Sequence, residues 1–293
     1  MKKILRWVGL GIAGLIIVAL IGFAIVMVIT NRRQAERWPV VALAITATAD
    51  SASLARAAHL TTAIGKCVDC HGEDLGGKFF LDGMPLGKFV APNLTSGGPT
   101  AGWSDGDLAR AIHSGLTPDG RGLIFMPADA FQAFGAEDLA AIVGYIRHLP
   151  RVDRTLPAIQ FGPIGRMLWA TGKMQFQAAR VVDHAAPLPV PPPRGPTAEY
   201  GKYLAQSGGC TSCHGPDLKG GLQFGPPGTP PSQNLTPTGD VKSWTLDDFT
   251  HALRNGVRPD GTVINPFMPW QLAGKMTDEE ISAVWAYLQS LKP

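Results

Sequence analysis

Charge is scarce in this sequence. Asp, Glu, Lys and Arg make up 17% of the 293 residues and nearly cancel, leaving a formal charge of +3. With Lys and Arg scattered rather than clustered, there is no electrostatic footprint for a nucleic-acid partner. Strand-type alternation of apolar and polar residues is hardly present, which turns the reading toward helices. No nucleophile–base arrangement, phosphate-cradling glycine loop or paired-carboxylate site rises above chance spacing. Cysteine is the most informative shortage: four are present, and all fall in two short segments.

The N-terminus is the first positive signal. Lys2, Lys3 and Arg6 precede an apolar run from Trp7 to Ile29, which gives way to Asn31, Arg32 and Arg33. At ~1.5 Å per residue about 20 helical residues cross the ~30 Å hydrocarbon layer, whereas a cleavable leader has an apolar stretch of roughly 7–15 residues. Residues 1–30 are therefore expected to be an uncleaved transmembrane anchor, followed by a tether over 31–52. A late cleavage site among Thr46, Ala47, Thr48 and Ala49 is the other reading. Basic residues flank both ends of the run and leave its orientation open.

The cysteine segments are Cys67-Val-Asp-Cys70-His71 and Cys210-Thr-Ser-Cys213-His214. In this spacing two thiols about one helical turn apart can each bond a vinyl group of one haem, with the adjacent histidine as proximal iron ligand. A four-cysteine zinc site, a thiol-exchange site and a disulfide framework compete for the same residues. None of them requires a histidine directly after the second cysteine, twice. Two covalently bound haem c groups are the expected cofactors.

The chain also matches itself at an offset of about 142 residues, as a duplicated domain would. Asp74-Leu75 pairs with Asp217-Leu218, Asn93-Leu94-Thr95 with Asn234-Leu235-Thr236, Trp103 with Trp244, and Pro118-Asp119-Gly120 with Pro259-Asp260-Gly261. Met126-Pro127 pairs with Met268-Pro269. Most methionines are core filler, but these two alone among eight recur in register, so they are expected as the second iron ligands. His113 and His251 align with arginine-bearing positions and are expected at the surface. Each repeat closes on an apolar i, i+3, i+4, i+7 pattern, Leu139–Leu149 and Ile281–Leu291, that predicts an amphipathic helix. Thr277 with Glu280, Ser104 with Asp107 and Thr245 with Asp248 are expected helix-capping pairs. Helices are also expected over Ser53–Ile64 and Thr197–Gln206, and Arg151–Pro196, ending in a proline-rich run, reads as an extended spacer.

Taken together, these residues resemble a known family, the membrane-bound class I-like dihaem cytochromes c related to the cytochrome c subunits of periplasmic alcohol and aldehyde dehydrogenases. The resemblance runs from about Ser53 to Leu291 and rests on the two C-x-x-C-H-G-x-D-L-x-G segments, Asn-Leu-Thr, Trp-[Ser/Thr], Pro-Asp-Gly and Met-Pro. It implies a mostly α chain: an N-terminal transmembrane helix plus two tandem class I-like cytochrome c domains, at 53–150 and 197–293, joined by the 151–196 linker. It further implies His71 and Met126 on one iron and His214 and Met268 on the other, with Asn93, Trp103, Asn234 and Trp244 as haem-pocket candidates whose other reading is turn or core. Those dehydrogenase subunits usually carry three haem domains, and this chain shows two motifs. Because covalent haem attachment takes place outside the bacterial cytoplasmic membrane, the resemblance puts the haem domains on the periplasmic face of the inner membrane. The expected function is electron transfer between a quinol-oxidising complex or dehydrogenase and a terminal oxidase or soluble cytochrome, alone or as a subunit of a complex. The alternative is a dihaem redox enzyme, a peroxidase or sulfur-compound oxidiser, with one exchangeable methionine.

Overall fold

The computed structural model describes residues 2–223 and 228–292; the expected outer bounds at Met1 and Pro293 lie outside them. Helix α1 covers Lys2–Ala35, and its residues 2–25 are exposed along their whole length. It is long and apolar enough to cross a membrane.

The first repeat begins with α2, Ser51–His59, capped by Asp50, whose side chain accepts from the Ser53 amide at 3.0 Å. The expected helix to Ile64 changes pitch: Leu60–Ile64 form a π turn, a form common at functional positions. The haem-motif helix α3 is Cys67–His71. Two strands follow, β1 at Lys78–Gly83 and β2 at Gly87–Ala91, paired antiparallel. Next come α4 (Asp105–Ser114), α5 (Ala128–Phe131) and α6 (Ala136–His148). After the linker, α8 (Ala198–Ser207), α9 (Cys210–His214), α10 (Leu246–Asn255), α11 (Trp270–Ala273) and α12 (Asp278–Ser290) repeat the helical order, with no hairpin among the described residues.

The three capping boxes form as expected on α4, α10 and α12, each with reciprocal bonds between cap and third helical residue. Their closing helices bury Leu139, Ile142, Val143 and Ile146 in one repeat and Ile281, Val284 and Leu288 in the other. Burial of each such side chain stabilises by about 1.5–3 kcal/mol. Both sets belong to one hydrophobic cluster that runs from repeat to repeat, joining Ile64 and Phe134 to Tyr203 and Leu204. In the second repeat α8 crosses α12 so closely that a Cβ at Gly201 would lie 1.8 Å from the Ala283 carbonyl oxygen. In the first repeat a different close approach occurs, Gly144 of α6 against the backbone of Thr48, ahead of α2.

A polar seam accompanies this core. Arg56 of α2 donates to Asp138 at the start of α6 (3.3 Å) and to Glu280 at the start of α12 (3.1 Å). Asp138 and Glu280 hold the same position in the two repeats. Tyr203 donates to Asp138, and His59 Nε2 lies 2.6 Å from Glu280.

Three expectations need correction. Residues 31–52 are packed rather than a loose tether: Trp38 N donates to the Gly120 carbonyl, Ala47 N to Asp105, and Thr48 N to the Ala140 carbonyl. Residues 151–196 are more than a spacer. They contribute β3 (Gln160–Phe161), which pairs with β2, and α7 (Pro163–Ala170), and build a second core of Phe89, Trp169 and Phe176. The proline run lies against the start of α6, where Pro191 meets Gly135. Finally, His113 is buried, not at the surface, because α4 turns that face inward with Ile112 and Leu108.

Candidate haem-binding sites

Each C-x-x-C-H segment is a single helical turn entered through a left-handed residue, Lys66 (φ 51°) or Gly209 (φ 72°), and left through a glycine, Gly72 or Gly215, at φ 84° and 83°. The backbone then makes the same three bonds in both repeats. Leu75 N donates to Gly72 O and Leu218 N to Gly215 O, both at 3.0 Å; Gly77 N donates to His71 O and Gly220 N to His214 O, both at 2.7 Å. Leu94 N and Leu235 N then close on the carbonyls of Leu75 and Leu218.

These turns fix the histidines. His71 Nδ1 lies 2.8 Å from the Pro92 carbonyl oxygen, and His214 Nδ1 lies 2.8 Å from that of Gln233. A carbonyl can only accept, so each Nδ1 carries the ring proton and each Nε2 keeps a free lone pair, the arrangement of a metal-binding histidine. Burial pushes both imidazoles below their ordinary pKa, which keeps them neutral.

The methionines follow turns that begin and end alike, but the second loop holds one more residue, and Phe125 N donates to Phe176 O in the first where Met268 N closes on Asn265 O in the second. Leu123 N donates to Gly115 O and Ile264 N to Gly256 O, both at 2.7 Å, and the loops end in Pro127 (φ −81°, ψ 58°) and Pro269 (φ −77°, ψ 55°). His71 and Met126 line one cavity of about 780 Å³ together with Cys67, Cys70, Asn93 and Trp103. For His214 and Met268 the matching turns carry the equivalence, and Cys210, Met268 and Trp244 pack against the shared core.

The donor set fits a covalently held haem. The first cavity is largely apolar, with Leu75, Leu108, Ile112, Phe131 and Ile142 in its wall, and it offers two thiols, a neutral imidazole and a thioether. Burial pushes the Cys67 thiol up to about 12 and the Cys70 thiol up to about 11, opposite to the depressed values of a thiol-exchange site. Among the described residues no three His, Cys, Asp or Glu side chains are grouped to hold a metal ion unaided, as a four-cysteine zinc site would require.

Asn93 and Asn234 are occupied in turns: Asn93 Oδ1 accepts from Thr95 N and Oγ1 at 2.9 and 2.7 Å, and Asn234 Oδ1 accepts from Thr236 at the same distances. Trp103 also bonds through its backbone carbonyl to Arg147. Sequence reading missed the wall supplied by Phe80, Val90, Ile124, Phe125 and Ile159, and the contribution of Gly208, Gly209 and Ser212 from the second repeat. The aromatic enrichment of residues 79–90 was the available signal.

Residues 198–292 match the family model described as Cytochrome c. The chain is 38% identical over 101 residues to the cytochrome c subunit of a quinone alcohol dehydrogenase from Gluconobacter oxydans, covering 32% of this chain and 21% of that one. It is 36% identical over 107 residues to the fructose dehydrogenase cytochrome subunit of Gluconobacter japonicus (33% and 22%). Against the gluconate 2-dehydrogenase cytochrome c subunit of Pantoea cypripedii it is 38% identical over 94 residues (30% and 21%). The matches thus span about a fifth of the length of these relatives. From 198 to 292 this chain carries a cytochrome c domain.

Proposed function

We propose that the chain is a membrane-anchored dihaem electron carrier, in which residues 53–150 form a second cytochrome c domain in tandem with the one at 197–293. The observation that supports this most is the repetition of the backbone turns and of the imidazole–carbonyl contact around His71 at His214, with Met126-Pro127 and Met268-Pro269 each following a turn that both repeats share. Cys67 and Cys70 would hold one haem through thioether bonds and Cys210 and Cys213 the other, with His71 and Met126, and His214 and Met268, as the residues that would bind each iron. When bound, haem supplies one-electron chemistry, its iron alternating between ferrous and ferric states.

The residues of the chain set the conditions for that chemistry. The Pro92 and Gln233 carbonyls hold each imidazole by its Nδ1 proton, so that the ring cannot swing away. With Met126 and Met268 as second iron ligands, no iron position would be left open for peroxide, oxygen or a sulfur substrate, which favours a carrier over an enzyme. Contribution of Gly208, Gly209 and Ser212 to the first cavity brings the second attachment segment alongside it. The named relatives are subunits of dehydrogenases, and on that basis the electron donor is a membrane-associated dehydrogenase, with a terminal oxidase or soluble cytochrome as acceptor. The site of action is the outer face of the bacterial inner membrane, where the anchor keeps partners at high effective concentration.

An optical redox titration of the detergent-solubilised chain, with carbon monoxide added to the reduced form, tests this reading. Two low-spin haems of positive potential that ignore carbon monoxide are expected. A single haem, or one that binds carbon monoxide, overturns the paired His/Met assignment.

A further inference from the structure

The end of α1 is fastened to α7. Arg166 Nη1 donates to Thr30 Oγ1 at 2.7 Å and to Asn31 Oδ1 at 2.9 Å, and Arg33 donates to the Trp169 carbonyl. Thr30 is fully buried, and Val26, Met27 and Ile29 are half-buried, although residues 2–25 are exposed. At ~1.5 Å per residue, Val26 lies about 6 Å below Thr30 along the helix axis. The folded domain therefore reaches past the charged collar of Arg32 and Arg33 and alongside the last turn of the apolar run.

Exposed apolar side chains sit on this same element and on the turn bonded to it. Ile164 and Met167, three residues apart on one face of α7, are 41% and 49% exposed, while Gly165 and Trp169 point inward. Met84, 60% exposed, belongs to the β1–β2 turn, and that turn is tied to α7 by bonds from Ile164 N to Pro85 O (3.2 Å) and Gly162 N to Leu86 O (3.0 Å). Arg32 and Lys173 lie exposed near the two ends of this contact.

We propose that Met84, Ile164 and Met167 form an apolar foot seated in the headgroup–acyl boundary of the bilayer that α1 crosses, with Arg32 and Lys173 facing anionic headgroups at its rim. The inference rests on reading α1 as a membrane span. Continuity with that span commits the foot to lipid, because a protein partner would have to enter the membrane surface to reach it. An apolar face with a basic border is also the composition that interfacial helices use. The foot orients the first haem-binding cavity, since Gln34, in the last turn of α1, lines that cavity.

The test is site-specific photocrosslinking of the full chain in vesicles of phosphatidylethanolamine and phosphatidylglycerol. p-Benzoylphenylalanine replaces Ile17, Met84, Met167 or Val263, one position at a time, and adducts are read by mass spectrometry. Val263 is 70% exposed in the second repeat. Lipid adducts are expected from the Ile17, Met84 and Met167 positions and their loss at Val263. Adducts from Ile17 without any from Met84 and Met167 overturn the foot and leave the span intact. Adducts from every position, Val263 included, overturn it as a distinct surface. Absence of an adduct from Ile17 overturns the span itself and the foot with it.

Discussion

Lys66 donates from its ammonium to the Gly208 carbonyl at 2.8 Å and so ties the residue entering one C-x-x-C-H turn to the segment entering the other. The same nitrogen donates to Ile64 O at 2.9 Å. Lys66 occupies the left-handed region where the second repeat has Gly209, a conformation that costs a side-chain-bearing residue about 1–2 kcal/mol. Burial lowers its pKa. The bonds to two carbonyls offset both costs.

Replacing Lys66 by methionine should therefore weaken the contact between repeats, leaving those carbonyls without their donor at a cost of about 1–3 kcal/mol. Removing a positive charge beside the attachment segments should also lower the haem potentials, because the oxidised iron then meets less repulsion. Lys66→Arg should retain most of the potential. Denaturant unfolding and redox titration of the two variants check both effects; unchanged potentials in Lys66→Met would remove Lys66 from the electrostatics of the sites.

The axial assignment gives a second expectation. Met268→His should keep the second haem attached, lower its potential relative to the wild type, and abolish the sulfur-to-iron charge-transfer band from that site. An unchanged oxidised spectrum would show that Met268 is not the ligand.

The seam around Arg56 makes the chain acid-sensitive. Burial raises the pKa of Glu280, but the hydrogen bonds from His59 and the Thr277 amide and the charge of Arg56 outweigh it, and the carboxyl is held below its ordinary value of 4.5. A carboxylate with a depressed folded-state pKa stabilises fully above its unfolded value and loses that contribution as pH falls through the folded one. Stability should thus decline on acidification below pH 4.5, and Glu280→Gln should flatten that limb in thermal melts. Arg56→Met, which strands two buried carboxylates, should cost about 3–5 kcal/mol at neutral pH.

Close helix crossing supplies a fourth test. Gly201→Ala would set a methyl group 1.8 Å from the Ala283 oxygen, so α8 and α12 must separate, at about 1–3 kcal/mol for an overpacked contact. Ala58→Gly, at the equivalent place on α2, should lose only about 1 kcal/mol of helix propensity. Equal losses in urea unfolding would contradict the asymmetry of the two crossings.

What could be read from the sequence was local or repeated. Ser104, Thr245 and Thr277 announce their helices because a cap and its third residue lie within one turn. Met126 and Met268 stand apart from the other methionines because each precedes a proline at a matching place in the two repeats. The hairpin escaped notice because β2 is buried at Gly87, Phe89, Val90 and Ala91 and so shows no clean alternation. Residues 151–196 looked irregular because Trp169 and Phe176 find their partner in Phe89, far away along the chain. His113 misled for a related reason: an imidazole does not reveal which face of α4 it occupies. Lys66 reaches Gly208, and Arg56 reaches Glu280, only when the repeats dock, and no spacing records that.

The packing of residues 31–52 and α7 against the first repeat bears on how the protein meets others. A carrier on a slack leash would sweep a hemisphere and present every side in turn. On the proposed reading of α1 as a membrane span, a stem bolted to the body leaves this chain only gliding and spinning in the plane of the bilayer, so an encounter depends on compass heading and on height above the lipid. Partners whose docking faces stand at that fixed altitude are selected before any contact is made.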